Sequence, residues 1–183
     1  MAGILDVEKP GIYLEWGAPW KDTKELAGFF EQLPDEVIED LRPVWEEVFP
    51  VVRKSLKKTF AVQGRPRWKP LSDKYLTEKL RKGFPRRILY RTGRMYRGIA
   101  KEGSPDNIYI NEKDMMAWGI DPYNFPGRYP IVHDLGSRSG RIPQREFMRL
   151  YPEDVKEIVQ KAWKVLHGKI EDYLHRKGLQ RKR

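Results

Sequence analysis

A chain of 183 residues, 39% hydrophobic and 12% aromatic, can bury one core, or one core plus an appendage. The lack of cysteine excludes disulfides and thiolate-bound metals, and no apolar run approaches the roughly 18 residues that span a bilayer. The net charge of +10 is unevenly placed: residues 1–50 hold 4 Lys/Arg against 12 Asp/Glu, residues 51–100 hold 16 against 2, and residues 101–183 hold 16 against 12.

The opening MAGILDVEKPG lacks the basic-then-apolar order of a secretory leader, so a soluble protein made in the cytosol is expected. Residues 12–16, within GIYLEWG, alternate apolar and polar between glycines and predict a short strand. Residues 22–33, DTKELAGFFEQL, predict a short helix with Asp22 or Thr23 as cap and Pro34 after its end. From Asp35, apolar residues at steps of three and four (Val37, Leu41, Val44, Val48, Val52, Leu56, Phe60) mark one face of a second helix. Pro43 and Pro50 predict a kink or break in it. Its acids come early and its bases late, an order that the helix dipole already favours.

Ser72 is expected to cap a helix over 73–82 that ends at Gly83, and Thr92 to start a short one carrying Met95 and Ile99. Strands are predicted near 96–101 and 107–111, and a helical turn at DMMAWG. Residues 121–145, rich in proline and glycine, read as a long exposed loop around a short ordered piece at 129–135. A final helix over about 152–177 has the clearest periodicity, with Pro152 in its first turn and Gly178 at its stop, and a basic tail follows. The class is α+β: a helical N-terminal half, a small antiparallel sheet and a long C-terminal helix.

Enzyme chemistry finds no support. His167 and His175 lie eight apart on one helix, too far for adjacent-turn chelation. His133-Asp134 resembles a phosphohydrolase dipeptide without the further ligands, so His133 reads as a hydrogen-bonded structural residue. No nucleophile elbow, Walker loop or dinucleotide fingerprint occurs, and no cofactor or metal is expected.

Five segments in order resemble the phage virion morphogenesis (tail completion, minor tail) family. They are Gly64 with Trp68-Lys69-Pro70-Leu71-Ser72, then ILYRTGRMYRGI with Thr92-Gly93, the strand ending NIYI, RYPIVHDLG with His133 and Gly136, and IPQREFM with Pro143, Arg145 and Phe147. The resemblance runs from about Phe60 to the end. Met95, Gly98, Gln144 and Glu146 depart from the family pattern, and residues 1–34 have no counterpart in it. The chain is therefore divided into a 1–34 extension and a 35–183 domain of that type.

The resemblance implies a non-enzymatic ring or collar subunit that completes a phage tail or joins tail to head, made in the host cytoplasm and carried in the virion. Its implied partners are itself and other neck and tail proteins, with no membrane. The motif residues read as structural first. Prolines on either side hold Trp68 in a stiff loop, either over its own core, which is favoured, or in a neighbour. The block charges offer complementary faces between copies. The basic residues Arg65, Arg67, Lys69, Arg86, Arg87, Arg91, Arg94 and Arg97 form the set expected to face DNA or a partner, through non-specific phosphate contact in the first case. The competing class is a non-specific nucleic-acid-binding protein using the basic 51–100 region.

Overall fold

In the computed structural model, which describes residues 33–178 and the backbone of residues 12–13, the periodic segment after Pro34 forms two helices. The first, α1 (Asp35–Ile38), ends where Leu41 donates its amide to the Lys113 carbonyl at 2.7 Å. The second, α2 (Arg42–Ala61), takes Pro43 in its first turn, where a missing N–H costs nothing. Pro50 does not break it and stays inside the helix on an exposed position.

The apolar face of α2 lies against α6 (Pro152–Arg176), and the two run antiparallel. Ion pairs fix their register: Lys161 reaches Glu47 at 2.9 Å, and Lys54 reaches Glu157 at 3.2 Å. Ile158, Ala162 and Leu166 are the buried stripe of α6, and they share one core with Val44, Val48, Val52 and Leu56 of α2. Between them in sequence, α3 (Asp73–Arg81) begins at Ser72, whose hydroxyl accepts the Tyr75 amide at 3.4 Å. Replacing Ser72 by alanine is expected to lower stability by about 1 kcal/mol, with Ser72→Asp close to neutral, as read by denaturant unfolding.

Residues expected as a strand near 96–101 are helical instead. They belong to α4 (Arg94–Ala100), which starts after Gly93 in the left-handed region, with Thr92 Oγ1 accepting the Arg94 amide at 3.4 Å. The first long strand is β2 (Asn107–Asn111), and its partner is β3 (Met116–Ile120), the stretch expected as a helical turn. Ala117 to Ile120 are all buried, so β3 lacks the alternation that marks a half-exposed strand. Trp118 is fully enclosed and gives its indole N–H to the Ile99 carbonyl at 2.9 Å. The sheet order is β1-β3-β2, all antiparallel, with β1 (Ile12–Tyr13) placing Ile12 opposite Ile120.

The expected loop at 121–145 holds the ordered piece expected at 129–135, and more of it before that is ordered than expected. Two 3-10 turns (Pro122–Asn124 and Pro126–Arg128) lead into α5 (Tyr129–Leu135), and Pro122, Phe125, Pro130 and Asp134 are buried. Each turn begins at a proline whose fixed φ suits a helical start. Helices over one small antiparallel sheet make the class α+β. Residues 22–32 of the expected first helix, residues 14–16 of the first strand and residues 179–183 of the basic tail lie outside the described residues, and Leu33 is a half-buried bend.

Candidate functional site

The stiff loop that carries Trp68 is built by local backbone demands. Gly64 adopts a φ of +103°, and a Cβ there would stand 2.6 Å from the Trp68 ring and from the Pro66 carbonyl, so only glycine fits. Trp68 turns back over the chain's own core. Its ring meets Phe60 edge-on at 5.5 Å, its indole N–H donates to the Glu146 carbonyl at 3.0 Å, and it is 6% exposed. Arg145 then fastens the outgoing strand of the loop. Its Nε donates to the Lys69 carbonyl at 3.1 Å and its own amide donates to the His133 carbonyl at 2.8 Å.

These contacts shape one wall of a groove of about 1170 Å³ between α3, the start of α4 and α5. The opposite wall follows from Gln63, whose side-chain oxygen accepts the Ile88 amide and whose amide nitrogen donates to the Phe60 carbonyl at 2.8 Å. Lys79, almost fully buried, gives its ammonium to the Arg87 carbonyl at 2.5 Å. Together Gln63 and Lys79 hold the 84–90 segment against α3.

The floor is apolar, formed by Leu71, Tyr75, Phe84, Met95, Tyr129 and Ile142. Cations stand around it: Lys69, Lys79, Arg91, Arg94, Arg141 and Arg145. Among the described residues no aspartate or glutamate lines it. Burial pulls the Lys79 and Arg145 values down, with Arg91 adding to the effect on Lys79. His133 lines the same groove with Nδ1 unpartnered, and burial followed by the Arg145 charge pulls its value down, which favours neutral imidazole. Arg94 differs, because Asp106 takes its guanidinium in two bonds of 2.8 and 2.7 Å.

Eight motif residues taken from distant segments meet here: Pro70, Leu71, Ser72, Thr92, Gly93, His133, Pro143 and Arg145 all line the groove. The other four stand behind or beside it. Gly64 and Trp68 form the loop base, Phe147 is buried against Phe60 at 5.7 Å, and Gly136 closes the 136–144 turn with a φ of +81°. Asp134 serves that turn, accepting the Phe147 and Met148 amides at 2.8 and 3.1 Å. Burial raises the Asp134 value and those two amides oppose the rise.

The basic set does not stay together. Lys69, Arg91 and Arg94 line the groove. Arg65 instead points inward to Asp154 at 2.8 Å and to Glu153 at 3.1 Å. Arg87 covers Tyr90 at 4.8 Å, Arg91 covers Phe84 at 4.6 Å, and Arg97 returns to the Thr92 carbonyl at 3.0 Å, while Arg67 and Arg86 are exposed. Four of the six acids from Asp35 to Glu47 are also met within the chain: Glu36 by Lys177, Glu39 by Lys113, Asp40 by Arg42 and Glu47 by Lys161. Sequence reasoning passed over Gln63 and Tyr75 as site residues. The one local signal was Gln63, a polar residue beside a glycine at a helix end.

Comparison with known proteins gives a distant relative. The chain is 24% identical over 144 residues to Mu-like prophage FluMu G protein 2 of Haemophilus influenzae, covering 76% of this chain and 87% of that protein. No family model matches the chain, and no solved structure does. Among the described residues no helix is long and apolar enough to cross a membrane.

Proposed function

We propose that the chain is a structural protein of a phage or prophage particle: a non-enzymatic ring or collar subunit that completes the tail or joins it to the head. The supporting observation is the convergence of eight motif residues, scattered from 70 to 145, on a single groove, in a chain whose distant relative is a prophage protein. A catalytic site needs converging groups that can donate and accept protons. Among the described residues the groove lining has one histidine and no carboxylate, so no histidine–carboxylate pair stands in it.

Association between copies is heterologous, one face meeting a different face of the next, and rotation closes the ring. Genomic DNA passing the junction meets exposed cations such as Arg67 and Arg86 through non-specific phosphate contact.

Particles purified from an induced lysogen that carries the gene are expected to contain the chain in several copies each, as counted by quantitative mass spectrometry. Its absence from particles overturns the proposal. A strict monomer with submicromolar duplex affinity that collapses at rising salt favours the nucleic-acid-binding class instead.

A further inference from the structure

The groove and the 22–33 segment have complementary chemistry. Leu26, Phe29 and Phe30 fall at i, i+3 and i+4, the anchor spacing of a helix that lies in an apolar groove. Asp22, Glu25 and Glu31 accompany them against Lys24 alone. The groove supplies what such a segment lacks: an apolar floor that includes the half-exposed Tyr75, and a cationic rim without a carboxylate.

Geometry decides which copy supplies the segment. Leu33 precedes Pro34 and α1, and Glu36 pairs with Lys177 just past the last turn of α6 at 3.4 Å. The groove lies beyond the first turn of α6, where Arg65 reaches Glu153 and Asp154 and leads by its loop to Lys69. A helix of 25 residues separates those two places by about 37 Å. Phe30, four residues before Pro34, reaches about 14 Å even fully extended. A helical 22–33 segment, about 18 Å long, therefore falls short of its own groove.

We propose that the groove receives the 22–33 segment of a neighbouring copy, which presents segment at one end and groove at the other. This rests on reading the chain as an assembling subunit. Such a contact is head-to-tail by construction, as a ring or a file of subunits requires.

The test titrates the full-length chain into a fluorescent peptide of residues 20–34. Saturable binding is expected, at least tenfold weaker for a chain carrying Lys69→Glu with Arg141→Glu, both exposed, and for a peptide carrying Phe30→Asp. Because the chain has no cysteine, a Glu31→Cys chain mixed with an Arg141→Cys chain is a second reading: an oxidised cross-linked pair is expected only from the mixture. Binding indifferent to the groove charges, or a chain carrying both cysteines that links only within itself, overturns the inference. If sedimentation shows multimers while peptide and cross-link both fail, the groove assignment falls and the subunit reading stands. If the chain is a monomer and both fail, the two fall together.

Discussion

Replacing Asp154 by alanine is expected to destabilise the protein by about 3 kcal/mol, measured as a shift of the denaturant midpoint at unchanged slope. One oxygen of Asp154, Oδ2, accepts three donors: Ser55 Oγ at 2.6 Å, Arg65 Nη2 at 2.8 Å and the Tyr151 amide at 3.2 Å. Removing it strands a buried hydroxyl and a guanidinium whose side chain is only 12% exposed. The loss falls at the low end for a broken buried pair because Glu153 and the Ser55 carbonyl still hold Arg65, at 3.1 Å each. Arg65→Lys is expected to recover little, since one ammonium cannot also serve Thr59 and stack on Tyr151 at 4.1 Å.

The same carboxylate gives a pH signature. Burial acts to raise the Asp154 value, but the bonds from Ser55 and Arg65 outweigh it, and the net shift is downward. A depressed folded value means that the contribution is complete above the unfolded value of about 3.9 and is lost as pH falls through the folded one. The stability gap between the native chain and Asp154→Asn is therefore expected to hold from neutral pH to about 4 and to narrow below it. A gap that widened on acidification would reverse the assigned sign.

Arg65 and Asp154 lie 89 positions apart, and nothing in either neighbourhood marks the pair. Sequence periodicity reports which face of an element is buried and is silent about which face it meets. That is why α2 and α6 were legible, each from a long stripe, while the polar bond that fastens them was not. The same limit explains β3. Its burial on both sides removes the alternation that makes a strand visible, and MMAWG then looks like a helical turn. The groove was half legible. The resemblance named most of its motif residues, but Tyr75 and Gln63 carry no motif and become wall and support only through packing.

Trp68→Ala is expected to cost about 3–5 kcal/mol, a fall in melting temperature on the order of 10 °C for a chain of this size. The indole is buried, meets Phe60 edge-on at 5.5 Å, and satisfies the Glu146 carbonyl at 3.0 Å. Truncation opens a cavity and leaves that carbonyl unpaired in the same step. Trp68→Phe separates the two effects: it keeps an aromatic edge for Phe60 and loses only the hydrogen bond, so a cost of about 1–3 kcal/mol is expected. The consequence extends to the groove, because Trp68 holds the loop whose next residues, Lys69 to Ser72, are its wall. At a temperature where Trp68→Ala is still folded, its affinity for the 20–34 peptide is expected to fall along with its stability, whereas Trp118→Phe, which loses a buried hydrogen bond to the Ile99 carbonyl away from the groove, leaves that affinity within about twofold. Equal losses in the two variants would mean that general loosening, and not the placement of the Trp68 loop, sets the groove.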